Sequence, residues 1–124
     1  GPMLRRKATL ATQDAAKSAV RWTIAGRRVA VLSTVKGVDD AADVLNEEVD
    51  LVVAFDYLQE PGRVRLKVSL RSSGAVNCTA LAKAHGGGGH PGGCTASFSL
   101  PVDTDALESK APYVTLRALL EAAL

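Results

Sequence analysis

Nine residues in the middle of the chain, RVRLKVSLR over Arg63–Arg71, alternate strictly between polar and aliphatic side chains. Because successive side chains of a β-strand point to opposite faces, this pattern predicts a strand with one apolar and one polar face. The aliphatic residues are expected to face a core, and these are Val64, Leu66, Val68 and Leu70. The polar residues are expected to share the other face, and these are Arg63, Arg65, Lys67, Ser69 and Arg71. The chain therefore has to build a sheet around this strand.

The segment before this strand predicts a βαβ unit. Residues 27–35 and 50–58 form two mostly apolar runs typical of buried strands. Between them, residues 38–49 carry apolar side chains at helical spacing, with two aspartates at the start. A strand, helix and strand in so short a segment require parallel strands with a right-handed crossover. The turn at residues 60–62 makes the alternating strand antiparallel, so the sequence predicts an α/β fold with a mixed sheet.

The other segments are expected to add helices and one more strand. Residues 10–22 are rich in alanine and predict a helix that ends before a turn at Gly26. Residues 94–100 predict a short strand, and residues 113–124 predict a final helix. A further helix is predicted over residues 75–86, ending at Gly86 in left-handed geometry, with an apolar stripe of Val76, Ala80, Leu81 and Ala84.

The length of 124 residues predicts one folded domain. We assign that domain to residues 27–124. Residues 1–26 are interpreted as a linker and a helix, preceded at Gly1 and Pro2 by the remnant of a cleaved tag.

Composition argues against several classes of protein. The net charge of +2 is too small to indicate nucleic-acid binding from bulk electrostatics, so any binding signal has to be local. No apolar run approaches the roughly 20 residues of a membrane helix, and we expect no membrane partner. Without a recognisable secretory signal, Cys78 and Cys94 are interpreted as reduced thiols of a cytoplasmic protein, with a single disulfide as the alternative.

Residues 84–93 read AHGGGGHPGG and include both histidines of the chain. Three interpretations are open. A structural zinc site would use Cys78, His85, His90 and Cys94, but no Cys-x-x-Cys pair is present. A cradle for phosphate would use consecutive glycine N–H groups that point into one concavity. The third interpretation is a mobile loop.

Arg71 favours the phosphate interpretation. It lies where the alternating strand ends, in SLRS over residues 69–72, and its planar guanidinium can bind a phosphate while Ser72 adds a hydroxyl. The other three cations of this strand, Arg63, Arg65 and Lys67, are interpreted as solvating an exposed sheet face.

Residues 67–94, KVSLRSSGAVNCTALAKAHGGGGHPGGC, resemble the DHH-associated domain of the DHH phosphoesterases. The family pattern is an S-x-R-S strand end, a helix and then GGGHPxAAG, and the upstream βαβ unit fits the same domain. The family includes oligoribonucleases, adenosine bisphosphate phosphatases, cyclic dinucleotide phosphodiesterases and single-strand exonucleases. The resemblance extends from about residue 27 to residue 124, and it implies nucleotide binding as part of a hydrolase.

The resemblance also implies which residues contact the substrate. The substrate-contacting arginine of the family matches Arg71, and its histidine matches His90. The phosphate-binding glycines and the flanking serines match Gly87, Gly88, Gly89, Ser69 and Ser72. The closing residues of the family pattern are replaced here by Gly93, Cys94 and Thr95.

In this family a separate N-terminal DHH domain carries the catalytic metals, and we expect manganese or magnesium there. The present chain lacks the DHH triplet, and neither Asp39 with Asp40 nor Asp103 with Asp105 resembles a two-metal site. We therefore expect no catalytic residue, no metal and no cofactor in this chain. Its expected partners are short nucleotides or single-stranded nucleic acid, and a DHH domain in the same or another chain.

A binding module without chemistry is the alternative. The C-terminal part of alanyl-tRNA synthetases resembles the same domain and contacts tRNA. Its glycine-rich segment typically lacks the histidine, so His90 favours the phosphoesterase interpretation. A tRNA module should prefer folded tRNA to a fragment of two or three nucleotides.

Overall fold

The structure is a computed structural model that describes residues 17–102 and 111–124. Within these residues the elements are β1 (Val20–Ile24), β2 (Arg27–Leu32), α1 (Val38–Leu45), β3 (Leu51–Glu60), β4 (Arg63–Arg71), α2 (Cys78–Lys83), β5 (Gly88–Gly89), β6 (Thr95–Val102) and α3 (Ala111–Ala123). The strands form one sheet in the order β1-β2-β3-β4-β6-β5.

The sheet is mixed, as the sequence predicted. Strands β2 and β3 are parallel and are connected by α1, which confirms the βαβ unit. Strand β4 is antiparallel to β3 across the turn at residues 61–62, and β6 is antiparallel to β4. Strand β5 pairs only with β6 in the described residues and forms one edge of the sheet.

The prediction of a helix over residues 10–22 is wrong at its C-terminal end. Residues 17 and 18 are helical and residues 10–16 lie outside the described part, but Val20–Ile24 is a strand that pairs with β2. Ala25 and Gly26 connect the two strands with φ angles of 52° and 78°. Positive φ at both positions is the geometry of a two-residue hairpin turn. The domain boundary at residue 27 stays a prediction, and β1 lies on its N-terminal side within the same sheet.

Each face of the sheet packs against different helices. On one face, α2 and α3 cover a core that includes Leu66, Val68, Leu70 and Phe98, and Leu116 of α3 is buried there. On the other face, α1 covers β2 and β3 in a smaller core formed by Ala30, Leu32, Val38, Ala41, Ala42, Leu45, Val49, Val52 and Ala54. The aliphatic face of β4 is thus packed, as the alternation predicted.

The stripe predicted for α2 is partly wrong. Leu81 is buried as expected, but Ala80 and Ala84 are exposed, whereas Cys78 and Ala82 are fully buried. The helix is only six residues long and begins after Asn77, whose side chain accepts a hydrogen bond from the Ala80 amide. This start turns the row formed by residues 78, 81 and 82 toward the sheet.

The ends of the predicted elements differ by a few residues elsewhere. Strand β2 ends at Leu32 and helix α1 ends at Leu45, both earlier than the sequence predicted. The C-terminal helix is confirmed, while residues 103–110 of the polar link before it lie outside the described residues. None of the helices in the described ranges is long and apolar enough to cross a membrane.

Candidate functional site

The four glycines connect α2 to the edge of the sheet. Gly86 has a φ of 81° and closes α2 in left-handed geometry, as predicted. A Cβ at Gly87 would lie 2.2 Å from the backbone oxygen of Ser97, and a Cβ at Gly89 would lie 2.2 Å from that of Thr95. These two positions therefore need glycine because β6 approaches them closely.

Gly88 differs from its neighbours, since a Cβ there would meet no atom within 4 Å. The amides of Gly86 and Gly87 donate hydrogen bonds to the carbonyl oxygens of Lys83 and Ala82 at 3.2 and 2.9 Å. These two amides consequently do not contribute to the predicted nest. The two glycines of β5, Gly88 and Gly89, line an open cavity.

An open cavity of about 380 Å³ lies beside β5. It is on the same face of the sheet as α1, in the part of that face that α1 does not cover. It is lined by residues of β4, β5, β6 and the loop after β5. These residues are Lys67, Ser69, Arg71, Gly88, Gly89, His90, Pro91, Thr95, Ala96 and Ser97. The polar face of β4 and the glycine segment, which the sequence suggested separately, thus meet at one place.

Arg71 is held in a fixed orientation at one end of this cavity. Its Nε donates to Oδ1 of Asp39, in the first turn of α1, at 2.7 Å, and its Nη1 donates to the Leu70 carbonyl at 2.9 Å. The arginine side chain is 17% exposed and the aspartate side chain 80%, so a largely buried arginine pairs with a carboxylate at the surface. Nη2 has no hydrogen-bond partner in the described residues and is available to an anion.

Hydroxyl groups continue the site along the sheet. Ser69 of β4 is the cross-strand partner of Ser97 of β6, and Ser97 is in turn paired with Gly88 of β5. Neither serine hydroxyl has a hydrogen-bond partner within the described part of the chain. Both can therefore donate to a bound oxyanion without breaking an existing bond.

His90 belongs to a loop that α2 holds in place. The His90 amide donates to the Thr95 carbonyl at 3.0 Å, and its carbonyl accepts from the Thr79 hydroxyl at 2.6 Å. The Gly93 amide also donates to the His90 carbonyl, while the Gly93 carbonyl accepts from the Cys78 amide at 2.8 Å. The backbone of the histidine is thus fixed, and its exposed side chain lies at the cavity.

Gly93, Cys94 and Thr95, which replace the closing residues of the family pattern, are compatible with this loop. Gly93 is buried with a φ of 78°, and a Cβ there would lie 3.0 Å from Oδ1 of Asn77. The Cys94 carbonyl accepts a hydrogen bond from the Ser72 amide at 2.9 Å. Thr95 begins β6 opposite Arg71.

The structure places two of the predicted site residues outside the cavity lining. Gly87 packs on β6, as described above. Ser72 is buried, and its hydroxyl donates to the Asp50 carbonyl at 2.9 Å while it accepts from the amides of Gly74 and Val76 at 3.2 and 3.1 Å. This hydroxyl connects the start of β3 to the segment that leads into α2.

The described residues contain no group of three His, Cys, Asp or Glu side chains able to hold a metal, so the structure does not bring the four candidate zinc ligands together as one site. His85 stacks on Phe98 at 5.2 Å, on the α2 side of the sheet. Cys78 is fully buried, which raises the pKa of its thiol to about 11, and both cysteines are free thiols.

Five lining residues were not predicted as substrate contacts from the sequence, and these are Lys67, Pro91, Thr95, Ala96 and Ser97. Lys67 was assigned to a solvated sheet face together with Arg63 and Arg65, and Ser97 received no role. The signal for Ser97 is the alternation of residues 94–100, CTASFSL, which places it on the face opposite Phe98. Only the pairing of β6 with both β4 and β5 brings it to the cavity.

No family model matches the sequence, and no curated protein matches it. Among solved structures, the chain is similar to a pGpG-specific phosphodiesterase, PggH from Vibrio cholerae, with a TM-score of 0.57 and 12% sequence identity. The match covers 92% of this chain and 38% of that one. At this identity the similarity shows a shared fold, and the present chain spans well under half of the neighbour.

Proposed function

We propose that this chain is the DHH-associated domain of a DHH-family phosphoesterase and binds the phosphate and sugar of a short nucleotide. The observation that carries this proposal is the position of five residues from the family pattern around one open cavity. These residues are Ser69, Arg71, Gly88, Gly89 and His90. The similarity of the fold to part of a pGpG-specific phosphodiesterase supports the same class of ligand.

In this proposal the chain contributes to hydrolysis by positioning. Arg71 and the hydroxyls of Ser69 and Ser97 donate to phosphate oxygens, and the bare backbone of β5 allows the ligand to approach closely. His90 contacts phosphate or ribose from the anchored loop. Manganese or magnesium in a separate DHH domain would activate the attacking water. Holding the scissile bond over such a metal centre lowers the activation barrier of hydrolysis. In this proposal no residue of the present chain takes part in bond cleavage.

The direct test is calorimetric titration of the chain with AMP. We expect Arg71→Ala to weaken binding about tenfold or more, because a charge-assisted hydrogen bond to phosphate is lost. The matched control is Arg63→Ala, at the other end of the same strand face, where the arginine pairs with Glu60 at 2.9 Å. Circular dichroism would establish that both variants are folded. Equal affinities of the wild type and Arg71→Ala would contradict the proposal.

The same titration distinguishes a nucleotide-binding module from a tRNA-binding module. A nucleotide module binds AMP or a dinucleotide through Arg71, whereas a tRNA module binds folded tRNA in preference to both. Tight tRNA binding without Arg71-dependent nucleotide binding would replace our proposal.

A cytoplasmic location, which the two free thiols favour, also stays part of the proposal.

A further inference from the structure

The arginine of the candidate site pairs with a carboxylate that lies outside the cavity. Arg71 belongs to the cavity lining, whereas Asp39 of α1 is not among the residues that line it. The two side chains meet at 2.7 Å although they are 32 positions apart in the chain. Among the described residues, Asp39 is the only carboxylate paired with Arg71. Asp39 can therefore act on a bound ligand through the arginine or through its charge, but not by contact.

The other surroundings of Arg71 leave its orientation to Asp39. The residues opposite Arg71 on the neighbouring strands are Val52 and Thr95, and neither carries a charge. Nη1 of Arg71 donates to the carbonyl of Leu70 in the same strand. This single bond to adjacent backbone leaves several rotamers open to a long side chain. The second bond, from Nε to Asp39, fixes the plane of the guanidinium and leaves Nη2 for an anion.

The start of α1 holds Asp39 in place. Its side chain is largely exposed, so its position depends on the helix backbone. The helix begins after Gly37, which has a φ of 73° and accepts a hydrogen bond from the Ala41 amide at 3.0 Å. Before the helix, the Val35 amide donates to Oδ2 of Asp56 in β3 at 3.0 Å. The segment that leads into α1 is thus bonded to the strand next to β4, and the carboxylate reaches the arginine from a fixed base.

The charge of Asp39 opposes the proposed ligand. A carboxylate beside an anion site repels phosphate. An ion pair with so exposed a carboxylate also contributes little to the stability of the fold. Neither attraction of the ligand nor stability therefore accounts for this contact, and the remaining benefit is the orientation of the guanidinium.

We propose that Asp39 is a positioning residue that orients the guanidinium of Arg71 so that Nη2 donates to a phosphate in the cavity. This inference rests on the proposed function. Asp39 favours binding by geometry and disfavours it by charge, so the two effects of a substitution have opposite signs. Loss of the carboxylate should weaken phosphate binding even though a repulsive charge is removed.

The test is calorimetric titration of the full chain and its variants with AMP. We expect Asp39→Ala to weaken binding about fivefold or more, because the guanidinium loses its orientation. Asp39→Asn removes the charge but retains Oδ1 as an acceptor, and it should recover the affinity to within about twofold of the wild type. The matched control is Asp43→Ala, one turn later on α1, where an exposed carboxylate has no partner in the described ranges. Affinity should not fall in that control.

An NMR measurement on the ligand-free chain reports the orientation independently of binding. The Nε–H of Arg71 should give an observable signal in the wild type and in Asp39→Asn, because its hydrogen bond slows exchange with water. We expect this signal to broaden in Asp39→Ala. A role of Asp39 in folding alone would lower the Tm, measured by circular dichroism, without this pattern of loss and recovery.

The outcomes separate this inference from the proposed function. Unchanged or tighter AMP binding by Asp39→Ala, with affinity still dependent on Arg71, would overturn the role of Asp39 and leave the nucleotide site in place. Equal weakening by Asp39→Ala and Asp39→Asn, or by Asp43→Ala, would overturn it as well, since the acceptor would not be what matters. If AMP does not bind the wild type, or binds independently of Arg71, both proposals fail.

Discussion

Gly87, Gly88 and Gly89 are adjacent residues of one type whose surroundings differ sharply. The missing Cβ of Gly87 and of Gly89 would collide with backbone oxygen atoms of β6, whereas that of Gly88 would meet open space. The run therefore combines two requirements. The outer two glycines allow β5 to pair with β6, and the middle glycine leaves room in the cavity.

Alanine substitutions should separate these two requirements. We expect Gly87→Ala and Gly89→Ala to lower the free energy of unfolding by about 1–3 kcal/mol, because backbone atoms have to move. Gly88→Ala should change it by less than about 1 kcal/mol but should weaken AMP binding, since the methyl group enters the cavity. Urea denaturation and calorimetry measure both quantities. Equal destabilisation by all three substitutions would contradict the assignment.

At the scale of elements, the site depends on how the end of β4 is connected to its neighbours. Arg71, the last residue of β4, pairs with Asp39 of α1, and the next residue, Ser72, bonds to the carbonyl of Asp50 just before β3. Adjacent residues thus serve different purposes. One presents a guanidinium to the cavity, and the other fixes the connection to α2.

The substitution Ser72→Ala tests this division. We expect it to lower the free energy of unfolding by about 1–3 kcal/mol, since the buried amide of Val76 loses its acceptor. Nucleotide affinity should stay within twofold, because the hydroxyl lies outside the cavity lining. Ser73→Ala, at an exposed neighbouring position, is the control. Unchanged stability with weakened nucleotide binding would restore Ser72 as a substrate contact.

The same scale shows what local sequence can predict. The register of β4 was predictable because one of its faces is packed, so the alternation fixes the orientation of every side chain. The strand at Val20–Ile24 was missed, although Val20, Trp22 and Ile24 favour strands, because alanines before it suggested a helix. The pairing of Gly88 and Gly89 with β6 could not be predicted, since glycines carry no side-chain pattern.

At the scale of the molecule, the described sheet is covered unequally. Helices α2 and α3 cover one face of the sheet. On the other face, α1 covers only β2 and β3, so this face of β4, β6 and β5 is open around the cavity. The family resemblance of the sequence suggested five of the residues that line this cavity. Lys67 and Ser97 line the cavity because β4, β6 and β5 pair side by side. A local sequence pattern does not contain this pairing, so it could not predict these two residues.

The central claim is that this open region binds a nucleotide, and an NMR titration of the backbone amides with adenosine 3′,5′-bisphosphate tests it most directly. A second cavity of about 400 Å³, lined in part by Ala80, Ala84 and Leu124, provides the internal comparison. We predict chemical-shift changes at Gly88, Gly89, His90 and Ser97, with none at the second cavity. No changes at millimolar ligand, or changes centred on the second cavity, would contradict the account.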